Sequence, residues 1–165
     1  MITHRVSADR VIFRHHPWQV FQDFKRETGA EGGINFGFFR RGTSHPHDSS
    51  PAGIIKVGSW VTGWDPTLTW HALGRHLDDS LQIFRSPMTE GGDDLRHEYE
   101  WLCTAGPIVL LNGQVGIQDE GRWPGLSGIR PTSRVERVGI GLTDDGTAVF
   151  KHHPSATVLE KWPCS

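Results

Sequence analysis

Short runs of alternating apolar and polar residues follow one another along this chain, and most of them end at a glycine. PAGIIKVGSWVTG and SLQIFRS show the alternation of strands, and the first of them predicts a strand pair around Gly58. Two further segments, AGPIVLLNGQVGI and RVGIGLTDDGTAVFKHH, carry Asn112-Gly113 and Asp145-Gly146 between apolar arms. Such pairs are the strongest short-range signal of a hairpin, so the pattern predicts a sheet built largely from hairpins.

The remaining segments predict one clear helix and further strands. HRVSADRVIFRH is typical of an opening strand, GGINFGFF of a buried strand that runs into a loop, and DLRHEYEWLC of a helical turn or a strand. PWQVFQDFKRETG predicts a helix, because a proline stands near its start, Val20, Phe21 and Phe24 share one side, and Gly29 ends it. Residues 1–165 are therefore expected to form a single α+β domain, a twisted, mostly antiparallel sheet with one or two helices packed on it.

Composition and charge narrow the class of protein. The hydrophobic fraction of 36% and the charged fraction of 22% fit a folded chain, and the net charge of -2 argues against general nucleic-acid binding. No apolar run has the length of a signal peptide or of a membrane span, so no membrane association is expected. Cys103 and Cys164 lack the spacing of a disulfide framework or a zinc site, which favours reduced thiols in a cytoplasmic protein.

Four motifs stand in order along the chain: INFGFF, PAGIIKVG, AGPIVLLNGQ and RVGIGLTDDGTAVF. They resemble the Asn-x-Gly-Phe/Tyr-Phe motif, the glycine-rich strand and the two hairpins of phosphodiester glycosidases, the group that includes the mannose-phosphate uncovering enzyme. Arg137 stands at the position of the family's arginine, and the likeness spans about residues 29–150. The resemblance implies a hydrolase that acts on a sugar-phosphate diester or a related nucleotide-sugar linkage.

The residues within these motifs suggest how such a ligand is held. Asn35 offers two donors and an acceptor to sugar hydroxyls or a phosphate oxygen, although it can instead cap a bend through its own backbone. Arg137 and Lys56 are the predicted anion ligands, with the solvent face of a strand as the alternative for both. We expect Asn35, Lys56 and Arg137 to converge on one pocket. The other predicted ligand-binding residues are Gly37, Phe39, Gly53 and Arg134.

Acid–base chemistry has fewer signals. His47 lies in a loop, residues 40–51, that directly follows the Asn35 motif, and it can serve as a general acid near neutral pH. Glu100 is the carboxylate chosen if an acid is needed, because it lies close to the AGP strand. The predicted catalytic set is therefore Asn35, His47, Glu100 and Arg137. The ten histidines show no metal-ligand spacing, so neither a metal nor another cofactor is expected.

Two departures from the family pattern leave the activity open. Val138 stands where the family has threonine, and no Asp-Gly-Gly-Gly-Ser segment precedes Ser165. The alternatives to a hydrolase are a protein that binds a phosphorylated sugar or nucleotide without turnover, or a structural domain that kept only the fold. A pocket without that segment is left open, closed by the loop at residues 40–51, or completed by a second subunit. A Trp-rich stretch at residues 60–70 adds a large apolar surface, which favours the second subunit. We therefore expect a homo-oligomer, most simply a dimer.

Overall fold

The computed structural model describes residues 2–14, 21–34, 36–40, 50–62, 71–85, 97–105, 110–111, 114–115 and 135–157. This part of the chain contains the α-helix α1 (Phe21–Thr28), a short 3-10 helix at Ala8–Arg10, and two further helical residues, His97 and Glu98. The strands are β1 (Ile2–Val6), β2 (Phe38–Arg40), β3 (Ser50–Ala52), β4 (Ile55–Val57), β5 (Trp60–Thr62), β6 (His71–His76), β7 (Leu81–Arg85), β8 (Tyr99–Ala105), β9 (Leu110–Leu111), β10 (Gln114–Val115), β11 (Val135–Leu142) and β12 (Ala148–Thr157).

The strands form two principal sheets. A five-stranded sheet has the order β5-β4-β8-β6-β7, and a three-stranded sheet has the order β1-β12-β11. β2 pairs with β3, and β9 pairs with β10, as two-stranded sheets. Every pairing is antiparallel, as the hairpin pattern of the sequence predicted. A sheet-rich α+β fold is thereby confirmed.

The hydrophobic core lies between the two principal sheets. Leu73, Leu81 and Trp101 from the five-stranded sheet form one cluster with Ala148 of β12 and with Val11. Partly buried side chains pack around them, namely Val6, Ala8, Phe13, Phe36, Ile83, Ile140, Leu142 and Phe150. Burying a large apolar side chain stabilises a fold by about 1.5–3 kcal/mol, so this cluster is what holds the two sheets together.

The predicted strand pairs and hairpins are confirmed where the structure describes them. β4 and β5 flank Gly58, β7 lies within SLQIFRS, and β11 and β12 flank the turn at Gly146. β9 and β10 lie on either side of residues 112 and 113, which fall outside the described residues. DLRHEYEWLC was predicted as a helical turn or a strand, and the structure has both: His97 and Glu98 are helical, and β8 begins at Tyr99.

Two predicted elements are shorter in the structure. The opening strand ends at Val6, because the next residues turn into the 3-10 helix, where the Arg10 amide donates to the Ser7 carbonyl. In GGINFGFF the strand begins only at Phe38, after Gly37 has taken a left-handed φ of +84°. A strand residue needs a negative φ, so the strand cannot extend back through Gly37.

The predicted helix is confirmed over Phe21–Thr28, and it ends as the sequence indicated. Gly29 has a φ of +68°, and its amide donates to the Lys25 carbonyl at 2.9 Å, which is the usual way a helix terminates at glycine. None of the α1 residues is buried. The packing of the helix on a sheet therefore stays a prediction.

Candidate functional site

Two glycines from different motifs meet the end of β8. Gly37 of INFGFF and Gly53 of PAGIIKVG both have a left-handed φ, +84° and +87°. A Cβ on Gly37 would lie 2.9 Å from Cys103 Sγ, and a Cβ on Gly53 would lie 1.9 Å from Thr104 Oγ1. Both chain segments therefore press against β8 so closely that only glycine fits. We call these four residues, Gly37, Gly53, Cys103 and Thr104, the β8 junction.

The junction places three of the family-like motifs side by side. β8 ends at Ala105, and the third motif, AGPIVLLNGQ, begins at that same residue. Thr104 fixes the contact, since its amide donates to the Ile54 carbonyl at 2.9 Å and its hydroxyl donates to the same oxygen at 3.2 Å. Sequence reasoning missed Thr104, which is only 1% exposed. The one available signal was a hydroxyl residue that directly precedes AGP.

Cys103 has a structural role at the junction. Its side chain is fully buried, and burial raises the pKa of the thiol to about 12. Its Sγ donates to the Thr104 carbonyl. A thiol with so high a pKa is protonated at neutral pH and is a poor nucleophile. The chemistry of this region therefore belongs to other side chains.

Lys56, one of the predicted anion ligands, is only 4% exposed. Its ammonium donates to the carbonyl oxygens of Gly58, at 2.6 Å, and of Tyr99. Burial lowers the pKa of Lys56, and the nearby Glu100 carboxylate opposes this shift. In this structure the ammonium thus ties the β4–β5 turn to the start of β8. Its role as an anion ligand stays a prediction.

We expect Lys56→Met to destabilise the protein more strongly at alkaline pH than at neutral pH. Lys56 has a lower pKa in the folded state than in the unfolded state. Such a lysine contributes stability that is fully present above pH 10.5 and is lost as the pH falls through the pKa of the folded state. Methionine removes this contribution. Urea unfolding of both proteins near pH 7 and near pH 10 tests the expectation, and a difference independent of pH would contradict it.

Glu100 lies at the opposite end of β8 from Thr104. Its carboxylate is 3.4 Å from Arg75 Nε, and Arg75 Nη2 is 2.8 Å from Asp79 Oδ1. These side chains line an open cavity of about 230 Å³ together with His76 and Leu77. Four residues of extended strand separate Glu100 from Thr104, about 13 Å. Sequence reasoning missed Arg75, which has no motif around it.

Arg137 lies on β11, directly opposite His153 of β12. Its side chain is partly buried, and burial lowers the pKa of the guanidinium, which remains charged at neutral pH. Ile140 and Leu142 of the same strand pack on the core. Because side chains alternate along a strand, Arg137 points to the other side, away from the core.

The same reasoning locates Lys56 relative to Arg137. Lys56 is paired with Leu102, whose neighbours Trp101 and Cys103 point to the opposite side of β8. Trp101 belongs to the core, so Lys56 also points away from it. The strand registers thus direct Lys56 and Arg137 to faces on opposite sides of the core, and the described residues do not bring them together.

Three other predicted site residues, Asn35, His47 and Arg134, lie outside the part of the chain that the structure describes. Phe39 of β2 is paired with Pro51 of β3, and its role in ligand binding stays a prediction. The described residues contain no group of three or more His, Cys, Asp or Glu side chains that could hold a metal ion. None of the helices among them has the length and apolar character needed to cross a membrane.

Fold and site together define a sheet-rich α+β domain in which glycine-bearing motifs converge on one strand end. Comparison with protein-family models gives a match to the phosphodiester glycosidase model over residues 28–154. The chain belongs to the phosphodiester glycosidase family. Comparisons with curated proteins and with solved structures gave no match.

Proposed function

We propose that this protein is a cytoplasmic phosphodiester glycosidase-like hydrolase that acts on a sugar-phosphate diester or a related nucleotide-sugar linkage. Family membership over residues 28–154 supports this function. The structural observation that supports the proposal is the β8 junction, where family-like motifs meet. There Gly37 and Gly53, from two separate motifs, pack on the same strand end immediately before a third motif.

The bond to be broken joins the anomeric carbon of a sugar to a phosphate oxygen. Water adds to the anomeric carbon, the carbon–oxygen bond breaks, and a phosphate monoester leaves. The second ionisation of such a monoester has a pKa near 6, so it can depart at neutral pH without first gaining a proton. What it needs is a cation that stabilises the developing negative charge, a role suited to the planar guanidinium of Arg137.

The other predicted residues then have complementary roles. The Asn35 amide holds sugar hydroxyls, and His47 supplies an acid or base near neutral pH. Glu100 lies about 13 Å along β8 from the junction, and its carboxylate contacts Arg75. In this proposal Arg137 therefore carries more of the chemistry than the Glu100 carboxylate.

A second candidate function is binding of a phosphorylated sugar or nucleotide without turnover. Val138 stands where the family has threonine, so a hydroxyl of the family pattern is lost one residue after Arg137, on the opposite face of β11. Glu100 on β8 and Arg137 on β11 also lie in different sheets, which separates the predicted acid from the predicted phosphate ligand. A binder needs the donors of the site and does without an acid or base.

One experiment separates these functions. The protein is incubated with a panel of sugar-1-phosphodiesters and nucleotide sugars, and both the solution and the retained ligand are analysed by mass spectrometry. Release of free sugar identifies a hydrolase, whereas an intact retained ligand identifies a binding protein. Neither product nor retained ligand would contradict both functions and leave a domain that kept only the fold.

We also expect this protein to form a homodimer. Trp60 is 46% exposed, and Ile2 and Val138, 48% and 47% exposed, lie on either side of His152 in one row across the three-stranded sheet. A second copy would cover such apolar side chains, and twofold dimers are the commonest soluble oligomers. Light scattering at micromolar concentration should give about twice the 18.5 kDa chain mass. A monomer mass would contradict the expectation.

A further inference from the structure

The three-stranded sheet has one face that is turned away from the core. Val6, Ile140, Leu142 and Phe150 pack toward the core, so the residues that alternate with them point to the other side. We call this side the outer face. The strand registers place on it Thr3, Arg5, Arg137, Gly139, Gly141, Val149, Lys151 and His153.

Three of these side chains cluster at one end of the outer face. Arg137 is directly opposite His153, and Lys151, two residues before His153 on the same strand, is opposite Gly139. Directly opposed side chains have Cβ atoms about 5 Å apart, and diagonal neighbours are about 7–8 Å apart. Side chains as long as arginine and lysine can therefore reach one phosphate group together.

Two glycines lie on the outer face of β11, and one of them, Gly141, has open space beside it. Gly139 and Gly141 follow Arg137 at alternate positions, and a Cβ on Gly141 would meet nothing within 4 Å. Glycine inside a strand often marks a place where a ligand or another backbone comes close. A ligand that lies along β11 can therefore approach the strand itself while the cations hold one end of it.

Arg5 is the fourth basic residue on the outer face. It is opposite Val149, two residues before Lys151 on β12, so it is a diagonal neighbour of Lys151 and cannot serve as a remote control. Arg26 lies outside this face, on α1, where its guanidinium is 2.6 Å from the Asp23 carboxylate. Arg26→Ala is therefore the control for loss of a positive charge elsewhere on the protein.

We propose that Lys151 and His153 bind the phosphate group of the ligand together with Arg137. The inference rests on the proposed function, in which Arg137 holds the phosphate. Arginine grips two phosphate oxygens with its planar fork, lysine adds a mobile charge, and histidine adds a donor that becomes cationic near neutral pH. Lys151 and His153 then supply the second cation that the sequence analysis assigned to Lys56.

Binding of inorganic phosphate, measured by calorimetry on the full chain, tests this proposal. Lys151→Met and His153→Gln should each weaken phosphate binding by about tenfold or more, the usual effect of losing a hydrogen bond to a charged group. Lys151→Arg retains the charge and should keep most of the binding. Arg26→Ala should change it by less than about twofold, because Arg26 lies on α1 rather than on the outer face and is paired with Asp23.

Circular dichroism establishes that each variant is folded. The proposal is overturned if folded Lys151→Met and His153→Gln both bind phosphate like the wild type.

The same variants separate this inference from the proposed hydrolase. If sugar release from the panel continues undiminished in Lys151→Met and His153→Gln, the hydrolase stands and the phosphate assignment of these two residues falls. If phosphate binding depends on both residues while no substrate is turned over, the assignment stands and the hydrolase falls.

Discussion

Replacing Gly53 with alanine should lower the free energy of unfolding by about 2–5 kcal/mol. The new Cβ would lie 1.9 Å from Thr104 Oγ1 and 2.9 Å from Thr104 Cβ, in a backbone with a φ of +87°. The left-handed conformation costs a residue other than glycine about 1–2 kcal/mol, and overpacking a buried contact adds about 1–3 kcal/mol. Thr104 has little room to move, because it is 1% exposed and bonded to Ile54. Urea unfolding measures the loss.

Gly146→Ala is the matched control. Gly146 has a φ of +79°, close to that of Gly53, but a Cβ there would meet nothing within 4 Å. The variant should therefore show the backbone cost alone, about 1–2 kcal/mol. If the two alanine variants lose the same stability, the close approach of Gly53 to Thr104 is wrong, and with it the β8 junction.

The elements that the sequence predicted best are those fixed by neighbouring residues. The turn before β12 is an example, because the Gly146 amide donates to the Thr143 carbonyl at 2.8 Å and Asp145 Oδ1 accepts from the Thr147 amide at 3.0 Å. All of these partners lie within five residues, and glycine and aspartate are the residues that such turns require. A turn of this kind can be predicted from a single sequence.

β6 shows what a local pattern cannot predict. It lies between β8 and β7, and its adjacent residues Ala72 and Leu73 are both buried, at 1% and 4% exposure, although they point to opposite faces. A strand covered on both faces has no alternation of apolar and polar positions, so its sequence carries no strand period. The segment HALGRH, which forms β6, therefore carries no sequence signal of a strand.

The predicted site was limited in the same way. Gly37 and Gly53 were recognised as special positions, but the reason for them, contact with Cys103 and Thr104, joins residues more than 50 positions apart. Their part in ligand binding stays a prediction. The structure supplies a physical reason for both glycines that needs no ligand.

Whether the side chains of Lys56 and Arg137 share a face depends on information that no motif contains. Each lies in a strand-like segment, but which side chain faces the core follows from the registers of β4 with β8 and of β11 with β12. A shift of one residue in either register would reverse the face. Sequence reasoning could therefore choose the residue types suited to an anion, but it could not choose which of them share a face.

Arg137→Ala should abolish ligand binding or turnover while leaving the fold intact. A partly desolvated pair between arginine and phosphate contributes about 2–5 kcal/mol, so binding or sugar release should fall by about 30-fold to several thousandfold. The fold should tolerate the change, because the side chain points away from the core that Ile140 and Leu142 help to form. Turnover of the substrate that the panel identifies, or its binding constant, gives the measurement.

Arg137→Lys and Arg26→Ala make this result specific. Lysine keeps the charge but loses the planar fork that grips two oxygens, so the loss in Arg137→Lys should be intermediate. Arg26→Ala removes a cation from α1 that is paired with Asp23, and it should leave binding and turnover close to wild type. Thermal unfolding of all three variants separates binding from stability. A collapse of the melting temperature in Arg137→Ala would show that this guanidinium supports the fold, and the phosphate site would then have to lie elsewhere.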